Sequence, residues 1–405
     1  MNQSIKNRIK QLKSGQIPKG YCKSAIGIIP EDWEIKKINA ISEVNPKSQE
    51  LKNEFLYIDL ESVVNGKLVN ENIIKKHNAP SRAQRILEKN DIIFQLVRPY
   101  QQNNFLYLKE QPLQVVASTG YAQIRTNDFG YLYQYLNFST FCNRVLEKCT
   151  GTNYPAINSN DFSELFIALP SKRERDKIAK ILAKWDEAIE LQERLIEKFE
   201  IQKKGLMKKL LMPKKDWKIE LLQNVVNRQK ATAVQIHNKG KYPIIDMEYY
   251  LNKKYINYTN DAGLFVDEND VILLWDGAGA GTSIFGVKGM LCSTFVKLVP
   301  TSILNAGFLY YFLCYVKDKN NNLREGSGIP HMPKDFFKIQ KIFLPKIDTQ
   351  ISIYKSLSFV DKNINLHSQK LELFKKQRKA LMQLLLTGTV RVSKLSILHS
   401  EDSNE

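Results

Sequence analysis

Cysteine is scarce in this sequence, and its few cysteines are not arranged in pairs. The 405 residues contain five cysteines, with no C-x-x-C pair and no histidine at metal-ligand spacing from them: Cys22, Cys142, Cys149, Cys292 and Cys314. Disulfide-rich domains and zinc sites need such spacings, so we expect reduced, mostly buried thiols in a cytoplasmic protein. No apolar run approaches the roughly 18 residues of a membrane span. The polar, basic stretch after Met1 is also unlike a signal peptide, so we expect no membrane partner.

Catalytic signatures are missing too. There is no G-x-x-x-x-G-K-[ST], H-E-x-x-H or G-x-S-x-G motif, and Asn45-Pro46 does not continue into an adenine-methyltransferase signature. The nearest candidate is the glycine-dense stretch 275–283 (WDGAGAGTS), which follows a strand-like run but lacks the lysine of a phosphate-binding loop. We predict no catalytic residue, no bound metal and no cofactor in this chain. An enzyme with a disguised nucleotide site in this stretch is one alternative.

Positive charge, in contrast, is abundant. There are 60 Lys and Arg residues against 42 Asp and Glu residues, for a formal net charge of +18. Each phosphate that binds a cationic side chain releases condensed counterions, so this excess favours a nucleic-acid partner. The composition is globular, with 43% hydrophobic residues, and the length indicates two to three domains.

An internal repeat organises the chain. The segment from Leu169-Pro170 to Leu211 recurs, without a gap, 175 residues later from Leu344-Pro345 to Leu386. Apolar residues follow a heptad seam in both copies, which predicts two long helices that pair as an antiparallel coiled coil. About 40 residues at 1.5 Å each span roughly 60 Å.

Each seam is interrupted by polar residues at the same two positions. These are Gln192 and Lys203 in the first helix, and His367 and Arg378 in the second. Buried polar residues can fix the register of a coiled coil at some cost in stability. We expect Gln192 to face Arg378 and Lys203 to face His367.

The segments that precede the two helices are diverged copies of each other. Asp32-Trp33 matches Asp216-Trp217, and Asn90-Asp91 matches Asn269-Asp270, with offsets that drift because insertions fall in loops. The predicted elements of the first copy are strands at Phe55–Leu60, Asp91–Val97 and Leu113–Ile124 and a helix at Tyr131–Lys148. We therefore predict a mixed α+β fold with a pseudo-two-fold internal repeat. A kept scaffold with varied loops is typical of binding surfaces that change specificity.

The segments 151–189 (GTNYPAINSNDFSELFIALPSKRERDKIAKILAKWDEAI) and 326–364 (GSGIPHMPKDFFKIQKIFLPKIDTQISIYKSLSFVDKNI) resemble the end of a target recognition domain that runs into a conserved helix. This order is found in the specificity subunit of type I restriction–modification systems, and the resemblance covers about residues 20–390. The implied parts are a basic segment (1–30), two α/β target recognition domains (31–168 and 213–343), two conserved helices (169–212 and 344–392) and a disordered tail (393–405).

The resemblance implies a non-catalytic reader of double-stranded DNA. Each recognition domain would read one half of a bipartite target, and the paired helices would set the spacer and bind two modification subunits. Those subunits would methylate adenine with S-adenosylmethionine, and restriction subunits would use ATP and Mg. The alternative is a coiled-coil scaffold that binds protein, with incidental non-specific affinity for DNA.

Two repeat-equivalent loops are the first candidates for DNA contact. In the first copy Arg98 is suited to guanine, and the amides after it are suited to adenine. The candidates there are Arg98, Tyr100, Gln101, Gln102, Asn103 and Asn104. In the second copy they are Asp276, Gly277 and Gly279. Asp276 is suited to accept a hydrogen bond from cytosine, and a capping role is the alternative. The family often carries a basic residue in this loop, where this sequence has Asp276.

Further candidates lie in the loops before each long helix and at exposed basic positions. The loop candidates are Asn153, Tyr154 and Asn158 in the first copy and Ser327 and His331 in the second. The candidate phosphate contacts, which would position without specifying sequence, are Arg82, Arg85, Lys230, Lys239 and Lys241. A structural role is the alternative for His331, and a carboxylate partner is the alternative for Arg98.

Overall fold

The computed structural model describes residues 3–47, 50–277, 279–319 and 331–392. The chain divides into two compact units, one formed by Met1–Leu191 with Leu371–Glu405 and the other by Gln192–Lys370. Each unit therefore contains one of the two diverged segments together with part of each long helix. Ser327 and the tail from residue 393 lie outside the described residues.

The first half of the chain runs from a short helix to the first long helix. Its helices are α1 (Gln3–Lys13), α2 (Phe129–Leu136), α3 (Ser139–Leu146), α4 (Ser159–Ser163) and α5 (Lys172–Leu211). Its strands are β1 (Tyr21–Ser24), β2 (Gly27–Pro30), β3 (Glu34–Lys37), β4 (Glu43–Val44), β5 (Glu54–Ile58), β6 (Val63–Val64), β7 (Lys67–Leu68), β8 (Asn72–Lys75), β9 (Ala83–Ile86), β10 (Ile92–Gln95), β11 (Phe105–Leu106), β12 (Gln114–Ser118), β13 (Tyr121–Arg125) and β14 (Phe166–Leu169).

The second half repeats this order and ends in the second long helix. Its strands are β15 (Lys218–Leu221), β16 (Val226–Lys230), β17 (Tyr242–Ile245), β18 (Tyr258–Thr259), β19 (Phe265–Val266), β20 (Val271–Leu274), β21 (Ser283–Ile284), β22 (Gly289–Leu291), β23 (Phe295–Pro300) and β24 (Lys341–Leu344). Its helices are α6 (Leu222–Val225), α7 (Met247–Asn252), α8 (Ala306–Lys319), α9 (Phe336–Ile339) and α10 (Ile347–Leu386). Among the described residues, no helix is both long enough and apolar enough to cross a membrane.

The two units contain sheets of the same topology. In the first unit the four-stranded sheets have the orders β11-β10-β13-β4 and β8-β5-β12-β9, and in the second unit they are β21-β20-β23-β16 and β18-β17-β22-β19. One parallel pair occurs at the same place in each unit, β5 with β12 and β17 with β22, among otherwise antiparallel neighbours. The mixed α+β fold and the internal repeat are thus confirmed at the level of strand order.

Two predicted elements of the first unit are each broken in two. The run Leu113–Ile124 forms β12 and β13, because the chain turns at Thr119 and Gly120. The predicted helix Tyr131–Lys148 forms α2 and α3. Asn137 lies between them, and its Nδ2 donates to the backbone oxygen of Tyr133 at 2.8 Å. Such a local side-chain bond competes with helix continuation, which pattern reading does not weigh.

The long helices follow the predicted bounds closely, and they pair within each unit. In the first unit, the rings of Trp185 and Phe374 meet edge to face at 5.7 Å, and Arg378 forms an ion pair with Asp186. In the second unit, Lys203 lies 2.7 Å from Asp361. Because Asp186 and Asp361 hold the same position in the two copies, each unit contains the same aspartate-to-base pair. The antiparallel pairing is confirmed.

The expected partners of the polar seam residues were wrong. Gln192 faces His367 and not Arg378, with Gln192 Nε2 at 2.7 Å from His367 Nδ1. Lys203 and Arg378 each pair with a helix aspartate because a carboxylate attracts a cation more strongly than an uncharged ring does. Both aspartates lie outside the apolar heptad positions, so the seam pattern does not identify them as partners.

In the first unit, a cluster of charged residues joins the segment after α10 to the start of α5 and to Asp32. The carboxylate of Glu174, at the start of α5, is fully buried and accepts from Arg391 Nε at 2.9 Å and from the backbone N–H of Val392 at 3.1 Å. Arg391 also donates to Asp32 at 2.7 Å. Gly388 ends α10 with a φ of +68°, and a Cβ there would collide with the ring of Pro30. The end of α10 therefore packs beside Tyr21, Pro30 and Trp33.

Candidate nucleic-acid interface

Two loops that contain predicted DNA contacts lie side by side in the first unit. The loop after β10 and the loop before α4 meet at a bridge between Val97 and Ala156. The backbone N–H of Arg98 donates to the oxygen of Pro155 at 2.7 Å, and that of Ile157 donates to Leu96 at 3.1 Å. Candidates from two distant parts of the sequence thus share one surface.

Arg98 has an unusual backbone conformation at the centre of this surface. Its φ of +55° lies in the left-handed region, which costs free energy for a residue with a side chain and often marks functional sites. Its guanidinium carbon lies 4.3 Å from the centroid of the Tyr154 ring, and Tyr154 is 62% exposed. The side chain stacks on an aromatic face and, within the described residues, forms no ion pair with a carboxylate. Stacking fixes the plane of the guanidinium group, while its N–H groups remain available to donate hydrogen bonds.

A chain of amide groups supports the loop from beneath. Buried Gln95 donates from Nε2 to Gln101 Oε1 at 2.8 Å and accepts from the backbone N–H of Asn103 at 3.2 Å. Asn104 accepts from the backbone N–H of Gln95 at 2.8 Å and donates to Asn137 at 3.0 Å. Asn104 is only 1% exposed, so the expectation that it contacts DNA is corrected: it holds the loop.

The other candidates of this surface differ in their exposure. Tyr100 is 53% exposed, and Asn153 is exposed next to Tyr154. Gln102 also has a left-handed backbone and turns its side chain toward the Cys142 thiol, whose pKa is raised by burial. Asn158 is exposed but is used as a cap, since its Oδ1 accepts from the backbone N–H of Asp161 at 2.8 Å.

The second unit brings the equivalent segments together. Asp276 and His331 form an isolated bridge, and the backbone N–H of Met332 donates to the oxygen of Trp275 at 3.0 Å. Asp276, Gly277 and His331 are all half-buried at this junction. The structure thus joins the loop after the central strand to the segment before α9, as it joins the corresponding segments in the first unit.

The glycine-dense loop uses its own backbone donors. The N–H groups of Ala280, Gly281 and Thr282 donate to the oxygens of Gly277, Leu274 and Gly279 at 2.9, 2.8 and 3.0 Å. A phosphate cradle needs such groups free and convergent. Gly279 is buried, and a Cβ there would lie 2.7 Å from the Tyr250 hydroxyl, so this glycine is explained by packing and not by approach to DNA. The loop geometry therefore gives no support to a nucleotide site.

One functional candidate was missed by the sequence analysis. Arg228 on β16 is exposed, and its guanidinium carbon lies 5.7 Å from the Trp275 ring centroid and 4.9 Å from that of Phe337. It stands next to the loop that lacks a basic residue of its own. The sequence signal is the pair of cations at Arg228 and Lys230, of which only Lys230 is among the predicted phosphate contacts. The register of β16 against its neighbouring strand decides which of those side chains reaches Trp275, and this register cannot be deduced from the sequence.

The candidate phosphate contacts differ in their exposure to solvent. Arg82, Lys230, Lys239 and Lys241 are exposed. Lys241 Nζ lies 5.0 Å from the Tyr242 ring centroid, and a hydrogen bond to Tyr242 raises the pKa of the lysine. Arg85 is half-buried, burial lowers its pKa, and its Nε is buried without a hydrogen-bond partner. Arg85 is thus poorly placed for a phosphate in this conformation.

The sequence is similar to known proteins over most of its length. The family model described as "Type I restriction modification DNA specificity domain" matches residues 30–200 and 214–375. The MjaVIII type I restriction enzyme specificity subunit of Methanocaldococcus jannaschii is 33% identical over 183 residues, which is 43% of this chain and 43% of that protein. The putative MjaX specificity subunit of the same organism is 25% identical over 92% of this chain and 97% of its own length.

Solved structures share the fold. The specificity subunit of a type I restriction–modification system from M. genitalium has a TM-score of 0.60 at 16% identity, over 87% of this chain and 96% of that one. A chain from a structure concerned with complex assembly and conformational transition of a type I system has a TM-score of 0.57 at 18% identity, over 89% and 99%. With two matched segments that cover most of its residues, this chain belongs to the type I restriction–modification DNA specificity family.

Proposed function

We propose that this chain reads a bipartite sequence in double-stranded DNA, with one half read by segment 31–168 and the other by segment 213–343. It is a specificity subunit and catalyses no reaction itself. In this proposal the long helices set the unspecified spacer and bind two modification subunits, which use S-adenosylmethionine. Restriction subunits with ATP and Mg complete the assembly in the cytoplasm.

A single observation carries the proposal: the same loop junction is built twice with different side chains. The first junction presents Arg98 stacked on Tyr154, and the second presents Arg228 stacked on Trp275. The strand order beneath them is the same. Equal scaffolds with unequal surfaces are what two readers of different half-sites require.

The exposed apolar residues of the long helices support a protein partner. Outward-facing side chains that are more than half exposed are Leu191, Ile201, Phe359, Leu366 and Leu373. In the first unit, a groove of about 870 Å³ is lined by residues that include Trp185, Ala188 and Phe374. Large apolar side chains that recur on one helix pair are typical of interaction surfaces. We assign this surface to the modification subunits.

The test is co-expression with the modification subunit from the same locus in a host that lacks DNA methylation. Sequencing that detects methyladenine should find one bipartite motif with a fixed gap. A matched culture with the modification subunit alone should give no such motif. Stable complex formation without any new methylation would count against the proposal and favour a protein-binding scaffold.

A further inference from the structure

The amide chain of the first unit fixes which atom of Gln101 faces outward. The backbone N–H of Asn103 can only donate, so the Gln95 atom 3.2 Å from it is the oxygen Oε1. The other end of that amide, Nε2, therefore donates to Gln101 over 2.8 Å, and the receiving atom is Gln101 Oε1. What the exposed Gln101 side chain has left to offer is its amino group.

Asn103 is oriented in the same manner. The backbone N–H of Asn65 donates to Asn103 Oδ1 at 3.2 Å, which leaves the amino group Nδ2 available. The inner end of the network agrees with this polarity. Asn104 donates to Asn137, and Asn137 donates at 2.8 Å to the backbone oxygen of Tyr133, an atom that can only accept. Backbone atoms thus define the amide orientations at both ends of the chain.

Arg98 adds a guanidinium, which has donors and no acceptor. It is held on Tyr154 at 4.3 Å, beside the two oriented amides. The rim of the loop therefore carries donors at Arg98, Gln101 and Asn103. A bidentate pair with adenine needs one donor and one acceptor from the same amide, whereas the major-groove edge of guanine offers two acceptors, N7 and O6.

We propose that the loop 98–103 recognises a guanine in the major groove through these donors, with Gln95 as the positioning residue that turns the amino group of Gln101 outward. This inference rests on the proposed function and names the base class for its first half-site. It replaces the sequence-based expectation of adenine contacts for Gln101 and Asn103. Phosphate oxygens are acceptors too, so the test must separate a base edge from the backbone.

The probe is a duplex that carries the methylation motif of the intact complex, with the half-site of segment 31–168 identified by exchanging that segment. Each guanine of that half is replaced in turn by 7-deazaguanine, which lacks the N7 acceptor. At one position, wild-type binding should weaken by about fivefold or more, because one of the two acceptors of a bidentate contact is removed. Arg98→Ala and Gln101→Glu should bind the normal duplex more weakly and show little further loss on the altered one.

Gln16→Glu is the matched control, because it makes the same change of charge at an exposed position in the same unit. It should bind like the wild type. Gln95→Met removes the bond that orients Gln101, so it should reduce discrimination between guanine and adenine at that position while leaving non-specific DNA affinity unchanged. If Gln95→Met fails to fold, the Gln101→Glu result still decides.

Indifference to 7-deazaguanine throughout the half-site, with strong sensitivity to uncharged methylphosphonate linkages, would overturn the guanine assignment in favour of phosphate contact. In that case the bipartite motif would persist and the proposed function would stand. Absence of any bipartite motif with the wild-type complex would instead overturn the proposed function, and the guanine assignment with it.

Discussion

Gln192 contacts His367, the residue that holds the same position in the second copy of the helix, 175 residues along the chain. Gln192 Nε2 lies 2.7 Å from His367 Nδ1 and 3.1 Å from the His367 backbone oxygen. The Phe199 ring stacks on the imidazole at 5.3 Å. Lys203 follows Gln192 along α5, yet its partner Asp361 precedes His367 along α10, so the two helices run antiparallel there. The pair is one of the polar contacts that interrupt the apolar seam, together with Lys203–Asp361 and Arg378–Asp186.

Replacing both members of this pair should not weaken the protein. Gln192→Leu alone leaves the His367 ring nitrogen without its partner and should cost about 1–3 kcal/mol, whereas Gln192→Leu with His367→Leu should be neutral or stabilising. The midpoint of urea unfolding, compared for both single variants and the double variant, measures this. A double variant as weak as the sum of the single ones would contradict the assignment.

Arg391 should be needed to hold the chain termini of the first unit together. Arg391→Met leaves the fully buried Glu174 carboxylate without its cation, and loss of one member of a buried pair costs about 3–5 kcal/mol. Asp32→Asn is the control, because Asp32 is 65% exposed and an exposed pair contributes about 0–1 kcal/mol. The readout is the midpoint temperature of the thermal unfolding transition of the first unit. Equal shifts for the two variants would argue against a buried clamp.

Acid should reveal the contribution of Asp32. The hydrogen bond from Arg391 lowers the pKa of this carboxyl below its ordinary value of 3.8. A depressed pKa adds stability above the ordinary value, and this is lost as pH falls through the folded-state pKa. The unfolding midpoint of Asp32→Asn should therefore approach that of the wild type below pH 3.8. A difference that grows on acidification would contradict this.

Tyr154→Ala should weaken binding to the cognate sequence. The ring supports the Arg98 guanidinium, and a cation–π contact contributes about 0.5–2 kcal/mol, or a few-fold to about thirtyfold in affinity. Tyr154→Phe keeps the aromatic face and should retain binding. Fluorescence anisotropy with cognate and scrambled duplexes separates the specific effect from the general one. Equal losses on both duplexes would assign Tyr154 to the DNA backbone instead.

Arg228→Gln should affect the second half-site alone. Arg228 stacks on Trp275 beside a loop without a basic residue, so its loss should relax the base preference in the half of the motif that the second unit reads. Lys230→Gln, two residues further along the same strand, removes the same charge from a candidate phosphate contact and should weaken binding without changing the base preference. Altered selectivity in the first half of the motif would be inconsistent with this placement.

The sequence was informative where a periodic pattern or an exact repeat existed. The bounds of α5 and α10 and the diverged copies follow from such patterns. The adjacency of the loop after β10 and the loop before α4 is shown only by the structure. The sequence was uninformative where side chains compete with the backbone, as at Asn137, which breaks a predicted helix. Side-chain burial was also hidden: Asn104 reads as a polar loop residue but lies under the loop. Arg228 was missed because strand register decides which of the two cations, Arg228 or Lys230, meets Trp275.

Exchange of the first recognition segment tests the central claim most directly. Residues 31–168 would be replaced by those of a relative with a different motif, the complex would be expressed in a methylation-free host, and methyladenine would be mapped across the genome. The account predicts a motif in which one half changes while the other half and the spacer length stay the same. A motif that is unchanged, or one in which both halves change together, would contradict the assignment of one half-site to each segment.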